Sequence, residues 1–256
     1  PTARDAMSRV AAIDCIVKGE GEKTIVEIAQ AVEAKESVSE ISGIFFRQDG
    51  SIIETADRSL NTDLNSLPLP AYHLFDLKRY KACVLGRRRI PALGVISSRG
   101  CPCRCIFCSI TALQKHNFRK RSPEFFLDEV DYLQRTYGYK AFSFNDDTIT
   151  MERNHIVNIC TGILKRILNI RWSCLARVNA VDKDLLSLMK TAGCCHITYG
   201  VESGSDTMLK TLRKGITVAQ AIKAIEMTAD IGIPFDALFM VSLPGESMQE
   251  LRKTID

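Results

Sequence analysis

The sequence from Val95 to Cys108 reads VISSRGCPCRCIFC, an apolar run that leads directly into four closely spaced cysteines. Cys101, Cys105 and Cys108 have the spacing C-x3-C-x2-C. Three thiolates on one tight loop can hold three corners of a cubane [4Fe–4S] cluster. The fourth iron is then left open, as a catalytic zinc keeps an open coordination position. Zinc-binding loops also cluster cysteines, so this spacing alone leaves both kinds of metal site open.

Cys103 lies in the same run and complicates the ligand set. As a fourth ligand it would close the cluster to any further molecule. It is one residue away from both Cys101 and Cys105, and side chains at that spacing tend to alternate in direction. We therefore predict that Cys103 is a loop residue and not a ligand. A ferredoxin-like electron carrier would instead need Cys103 or a distant cysteine.

Strands and helices alternate along the chain from Ile90 onward. Helix starts are predicted at Ser122, at Asp182 and at the T-x-x-Q box formed by Thr217 and Gln220. Repeated βα units predict a parallel sheet with functional groups at the carboxyl ends of its strands. The predicted fold class is α/β, a partial TIM-like (β/α)6 barrel that is truncated after about five βα units. The strands are predicted at 93–97, 141–145, 171–178, 196–201 and 235–241.

The residues before this series predict a different organisation. An apolar strand near 13–17 and a helix reaching 34 form one unit that is too small to fold alone. The Asp49-Gly50 pair between two apolar runs predicts a β-hairpin, and Pro68 and Pro70 predict an extended connector. The predicted divisions are 1–36, 37–89 and 90–256. Because the chain lacks an initiator Met and stops inside a predicted helix, we expect it to be a fragment.

Composition narrows the class of protein. The 256 residues are 46% hydrophobic and 25% charged, which is typical of a globular chain. A net charge of +4 is far from a dense basic stripe, so no nucleic-acid partner is predicted. No apolar run reaches the ~20 residues of a membrane span, and no signal peptide opens the chain, so a cytoplasmic location is expected. The 10 cysteines then predict metal or cluster ligands where they are clustered, and core residues where they are scattered.

The octapeptide from Cys101 to Cys108 resembles the signature of the radical S-adenosylmethionine (SAM) superfamily, C-x3-C-x-aromatic-C, with Phe107 in the aromatic position. The resemblance implies that Cys101, Cys105 and Cys108 ligate the cluster and that its open iron binds the amino and carboxylate groups of SAM. One electron then cleaves SAM to methionine and a 5′-deoxyadenosyl radical, which abstracts hydrogen from a substrate. The resemblance also implies that Phe107 packs beside the adenine, and that an external donor such as flavodoxin or ferredoxin supplies the electron.

Carboxylates at two predicted strand ends match further parts of this family's pattern. Asp146 and Asp147 follow the second strand, where the superfamily has a polar motif for the SAM amino group. A cap or a turn is the alternative role for each of them. Glu202 ends the fourth strand, where related enzymes contact the SAM ribose. A carboxylate suits that position because it accepts hydrogen bonds from both hydroxyls of a diol.

Two more features belong to the expected SAM site. Arg177, near the end of the third strand, is expected either to pair with the SAM carboxylate or to form a structural ion pair. The turn Leu243-Pro244-Gly245-Glu246 resembles the L-P-G-E turn of the superfamily, which lies near the adenine and the methionine. A plain strand-to-helix turn is the alternative for these four residues.

Two stretches before the barrel narrow the resemblance to a subgroup. Residues 14–22 resemble the V-x-G-E-G-E stretch near the end of a cobalamin-binding Rossmann-like domain, and residues 64–72 resemble the linker that follows it. Together they resemble the cobalamin-dependent class B subgroup, which includes methyltransferases and the anaerobic magnesium-protoporphyrin monomethyl ester cyclase. The lower-ligand motif D-x-H-x-x-G is absent. The cobalamin domain is therefore either cut off, with residues 1–36 as its end, or degenerate. We expect cobalamin in the parent protein but no stable binding by this chain.

The resemblance favours cobalamin-assisted methyl transfer to an unactivated carbon of a small-molecule substrate. Oxidative ring formation comes second, and methylthio transfer to tRNA third, because no RNA-binding appendage is visible. Outside radical chemistry, the alternatives are an iron–sulfur electron carrier and a zinc module. The basic groups at 87–89 and 115–121 are predicted to be solvated, and His196 is predicted to pack structurally.

Overall fold

The computed structural model describes residues 2–80, 83–85, 88–90, 92–114 and 116–255. Arg87 and Lys115, which belong to the two predicted basic groups, lie outside the described residues. The chain divides into two compact units, Pro1–Leu67 and Pro68–Asp256. No helix within the described ranges is long and apolar enough to cross a membrane.

The first unit contains a small antiparallel sheet. Its three strands are ordered β1-β2-β3, and the β2–β3 register pairs Gln48 with Ser51. Asp49 and Gly50 therefore form a two-residue turn, with φ of 49° and 77°, as a type I′ hairpin requires. The predicted hairpin is confirmed. The elements of this unit are α1 Thr2–Arg9, β1 Cys15–Val17, α2 Glu22–Ala34, β2 Ile44–Gln48 and β3 Ser51–Glu54.

The sheet of the first unit crosses one of the predicted divisions. β1 pairs antiparallel with β2, and Cys15 lies opposite Phe46. A boundary between residues 36 and 37 would therefore separate two strands of one sheet. The assignment of residues 1–36 to a cobalamin-binding domain stays a prediction.

The second unit alternates strands and helices. Its strands are β4 Cys83–Leu85, β5 Arg88–Ile90, β6 Leu93–Val95, β7 Ser98–Arg99, β8 Arg119–Lys120, β9 Ala141–Phe144, β10 Arg171–Ala176, β11 Cys194–Glu202 and β12 Phe235–Phe239. Its helices are α3 Ser109–Gln114, α4 Pro123–Tyr137, α5 Arg153–Lys165, α6 Lys183–Thr191, α7 Asp206–Thr211, α8 Val218–Ile231 and α9 Met248–Ile255.

The main sheet of the second unit has five parallel strands in the order β12-β11-β10-β9-β6. Each strand lies beside its neighbour in the series, and helices connect them. The α/β class and the five predicted strands are confirmed. Because all five strands run in one direction, their carboxyl ends lie along one edge of the sheet.

Side-chain caps start the connecting helices where the sequence predicts them. Ser122 accepts a hydrogen bond from the amide of Phe125 at 3.1 Å, with Pro123 in the first turn of α4. Asp182 accepts from the amide of Leu185 at 2.9 Å. Thr217 and Gln220 form both halves of a capping box at α8. Each of these capping contacts lies within the first turn of its helix.

The core lies between the sheet and its helices. The rings of Phe144 and Trp172 stack with centroids 4.7 Å apart. Cys160, Cys174 and Cys194 are buried in the same core, and burial raises the pKa of the Cys160 and Cys194 thiols. These three scattered cysteines are core residues, as predicted, whereas Cys15 and Cys195 are only half-buried.

One expectation about the start of this unit is wrong, because a residue of a basic group predicted to be solvated is mostly buried. Tyr72, which follows the predicted connector, is buried and belongs to the core of the unit. Its hydroxyl donates to the Glu129 carboxylate, which also pairs with Arg121. The Arg121 side chain is only 12% exposed, although its basic group is predicted to be solvated. A buried carboxylate on α4 recruits both residues because an unpaired buried charge is costly.

Replacing Gly193 with Ala is expected to destabilise the second unit by on the order of 3 kcal/mol. Gly193 has a φ of +92°, and a Cβ there would lie 2.2 Å from the carbonyl oxygen of Ile170. Gly138 is the matched control, with a φ of +74° and no atom within 4 Å of an added Cβ. Gly138→Ala should cost only about 1 kcal/mol. Chemical denaturation measures both variants, and equal losses would contradict the steric argument.

Candidate active site

A cavity of about 340 Å³ lies at the carboxyl edge of the parallel sheet, a volume in the range of small-molecule sites. Its walls come from the cysteine loop and from the ends of successive strands. Apolar wall is provided by Leu175 and Leu238. The residues with polar, aromatic or sulfur groups that line it include Cys101, Cys103, Cys105, Phe107, Cys108, Asp146, Asp147, Arg177, Glu202 and Lys214.

All four cysteines of the loop line this cavity. Cys105 is buried, and Cys101, Cys103 and Cys108 are half-buried. Cys103 lines the cavity together with its neighbours. Its thiol hydrogen-bonds Cys101, which lowers the pKa of Cys101 and raises that of Cys103. Whether Cys103 ligates a cluster stays a matter of prediction.

The donor set of this loop consists of thiols, which are the ligands that iron–sulfur clusters use. Within the described ranges, no three His, Cys, Asp or Glu side chains are grouped closely enough to hold one metal ion. A cubane makes a different demand, because each thiolate binds a different iron. Three cysteines that face one cavity, with open volume beside them, satisfy that demand.

The two aspartates after β9 hold the strand-to-loop segment that precedes the cysteines. Asp146 is 1% exposed and accepts hydrogen bonds from the Ser97 amide at 3.1 Å, the Ser97 hydroxyl at 2.7 Å and the Ser98 hydroxyl at 2.5 Å. Burial raises the pKa of Asp146, and these hydrogen bonds oppose the rise. Asp147 accepts from the Gly100 amide at 2.7 Å. Both carboxylates thus order the loop, and their roles toward SAM stay predictions.

Glu202 lies at a β-bulge where the register between β11 and β12 shifts. Its φ of 76° is unusual for a residue with a side chain, and such backbone strain is typical of functional sites. The carboxylate is buried and pairs with the ammonium of Lys214 at 2.7 Å. That ammonium also lies 5.7 Å from the centroid of the Phe107 ring, within cation–π range. Sequence reasoning missed Lys214, because nothing in its local pattern marks it.

Arg177 points toward the cysteine loop. Its Nη1 atom lies 3.9 Å from Cys105 Sγ, and Nη2 donates to the carbonyl oxygen of Lys214. Its Nε atom donates to Asn179 at 3.3 Å. Arg177 makes no ion pair with any carboxylate of the described residues, so a structural ion pair is not what holds it there. Its role toward the SAM carboxylate stays a prediction.

The predicted turn of Leu243, Pro244, Gly245 and Glu246 does not line the cavity. It closes on itself, because the Leu243 amide donates to the Glu246 carboxylate at 3.2 Å and the Glu246 amide donates to the Leu243 carbonyl at 2.9 Å. The structure therefore does not bring these four residues together with the cysteines. Their nearness to adenine and methionine stays a prediction.

His155 is a buried group that the sequence does not single out. Its Nε2 atom lies 2.9 Å from the hydroxyl of Ser97, which also binds Asp146. Burial lowers the pKa of His155 to about 4, and the nearby charge of Lys120 acts in the same direction. The neutral imidazole thus supports the segment that leads into the cysteine loop.

Comparison with known proteins finds one matching family model, described as the radical SAM superfamily, over residues 95–256, which is more than half of the chain. An uncharacterized methyltransferase of Pyrococcus horikoshii is 32% identical over 243 residues, which cover 95% of this chain and 52% of that protein. The anaerobic magnesium-protoporphyrin IX monomethyl ester cyclase of Cereibacter sphaeroides is 31% identical over 259 residues, which cover 98% of this chain and 41% of that protein. The chain thus spans about half the length of the curated relatives it matches.

A solved structure has the same fold. It is the cobalamin-dependent S-adenosylmethionine radical enzyme OxsB with aqua-cobalamin bound, with a TM-score of 0.83 and 24% identity. The match covers 98% of this chain and 37% of the OxsB chain. At this level of identity the likeness concerns the fold.

Replacing His155 with Gln is expected to flatten the pH dependence of stability between about pH 4 and pH 6.5. The imidazole has a pKa of about 4 in the folded chain and its ordinary value of 6.5 in the unfolded chain. In this window only the unfolded chain binds the proton. The wild-type free energy of unfolding should therefore fall with falling pH, by at most about 1.4 kcal/mol per pH unit, and level off below about pH 4.

The measurement is chemical denaturation of both proteins across this pH range. Asp146, Lys120 and Glu152 are present in both, so the difference between the two curves isolates His155. Parallel curves would show that His155 is not buried as a neutral group.

Proposed function

The chain belongs to the radical SAM superfamily, and on that premise we propose that it cleaves SAM reductively with a [4Fe–4S] cluster held by Cys101, Cys105 and Cys108. The observation that carries the proposal is one cavity lined by these three cysteines together with Arg177 and Glu202. The family implies both the cluster and SAM. A bound cluster would supply the electron for cleavage and leave one iron free for the methionine end of SAM.

The chain's own residues divide the remaining tasks. Asp147 holds the Gly100 amide and thereby orders the entry to the loop. We assign the ribose hydroxyls to Glu202 and the carboxylate of SAM to Arg177, whose guanidinium is buried beside Cys105. Phe107, which is 40% exposed, offers a ring face to the adenine. Leu175 and Leu238 add apolar wall that limits water near a radical.

For the reaction class we propose methyl transfer to an unactivated carbon of a small molecule, with an external one-electron donor and no nucleic acid. The Pyrococcus horikoshii relative, named as a methyltransferase, supports this class. Oxidative ring formation is the second candidate, because a cyclase is 31% identical over nearly the whole chain. Cobalamin belongs to the proposal for the parent protein only. This chain has no D-x-H-x-x-G motif, so none of its residues is assigned to cobalamin.

Anaerobic reconstitution with iron and sulfide is expected to load about four irons per chain, with broad absorption near ~400 nm. Addition of dithionite and SAM should then release 5′-deoxyadenosine, measured by liquid chromatography. One zinc and no iron would remove the enzyme proposal. A cluster spectrum without SAM cleavage would identify an electron carrier.

Single Cys→Ala variants test the ligand assignment. Changing Cys101, Cys105 or Cys108 should abolish the cluster, whereas Cys103→Ala should keep about four irons per chain. Cys195→Ala is the matched control, because Cys195 is half-buried and its thiol binds the carbonyl of Trp172 away from the loop. Loss of iron in Cys103→Ala would make Cys103 a ligand.

A further inference from the structure

Lys214 is a buried cation in the wall of the cavity. Its side chain is 9% exposed and its ammonium lies 2.7 Å from Glu202, whose side chain is 11% exposed. The free-energy cost of removing both charges from water can exceed the attraction between them. A buried ion pair is therefore weak evidence of a role in stability. The pair lines the cavity and lies outside the hydrophobic core. Its position therefore calls for a reason other than packing.

The pair is aimed by the backbone around it. Glu202 has a left-handed φ of 76° at a β-bulge, and bulges redirect side chains near active sites. Gly200 leaves the space that the pair occupies, because a Cβ at Gly200 would lie 2.6 Å from Glu202 Oε1 and 2.9 Å from Lys214 Nζ. The strained backbone of Glu202 and the absence of a Cβ at Gly200 thus both favour the observed direction of the Glu202 carboxylate, toward Lys214.

The segment that carries Lys214 also binds the cysteine loop. The carbonyl of Leu212 accepts a hydrogen bond from the amide of Ile106 at 3.1 Å. The carbonyl of Lys214 accepts from Arg177, whose other nitrogen lies 3.9 Å from Cys105 Sγ. The short connection between α7 and α8 therefore contacts the cysteine loop and also carries the Lys214 ammonium. It links the positions of the two.

We propose that Lys214 is a positioning residue, which fixes the Glu202 carboxylate at a set distance from the cysteine loop so that the diol of a nucleoside is held relative to the cluster. The proposal rests on the proposed function, because it takes SAM as the nucleoside. Lys214 acts through the Glu202 carboxylate, and it needs no direct contact with SAM.

The test compares the binding of two ligands to the reconstituted chain, by equilibrium dialysis under anaerobic conditions. One ligand is SAM, and the other is its 2′,3′-dideoxy analogue, which lacks both ribose hydroxyls. Lys214→Met should weaken SAM binding about tenfold, the range of one hydrogen bond to a charged group. It should leave the affinity for the dideoxy analogue unchanged. Lys214→Arg should restore most of the preference for SAM, because it keeps the charge.

A second variant, Gly200→Ala, tests the proposal even if Lys214→Met does not fold well. Gly200→Ala leaves every charge in place but pushes apart the ends of the two flexible side chains. It should reduce the preference for SAM over the analogue in the same direction. Thermal unfolding of each variant serves as the control for the fold.

The outcomes separate the two levels of the proposal. Equal weakening of both ligands in Lys214→Met and Gly200→Ala would give Lys214 a purely structural role and overturn the inference. Unchanged SAM affinity in both variants would overturn it as well. A wild-type chain that carries the cluster but binds neither ligand would instead overturn the proposed function.

Discussion

The cysteine loop depends on two carboxylates that belong to the neighbouring strand. β6 and β9 are adjacent and parallel, so the residues after β9 lie beside the residues after β6. Asp146 then accepts hydrogen bonds from the amide and hydroxyl of Ser97 and from the hydroxyl of Ser98. Asp147 accepts a hydrogen bond from the amide of Gly100. Without these carboxylates the amides of Ser97 and Gly100 would lose the acceptors that they bind here. The parallel pairing of two strands is therefore the constraint from which the site follows.

The opposite wall of the cavity is organised by backbone contacts. Leu212 and Lys214 offer carbonyls to the cysteine loop and to Arg177, while the side chain of Lys214 reaches Glu202. Carbonyl acceptors do not depend on side-chain identity, so the segment holds its neighbours through its shape. One wall of the cavity is thus ordered by the carboxylates of Asp146 and Asp147, and another by the backbone of the connection between α7 and α8.

Local features of this fold are readable from the sequence, and tertiary ones are not. The caps at Ser122, Asp182 and Thr217 act within one helical turn, and the Asp49-Gly50 turn acts within one hairpin, so both follow from neighbouring residues. The burial of Arg121 depends on Glu129, and the importance of Lys214 depends on a bulge twelve residues earlier at Glu202. No local pattern records such partners. Family resemblance predicts roles for the cysteines and for Glu202, but it does not predict that Glu202 pairs with Lys214.

Burial sorts the cysteines by reactivity. Cys160, Cys174 and Cys194 lie in the core of the sheet, where protonated thiols are poor nucleophiles and poor metal ligands. The cysteine loop faces open volume. In an unfolded chain all of these sulfurs would compete for iron, whereas the folded sheet withdraws three of them. If the loop holds a cluster as proposed, its loading should therefore be most selective after the sheet has formed, because the three core sulfurs are then out of reach.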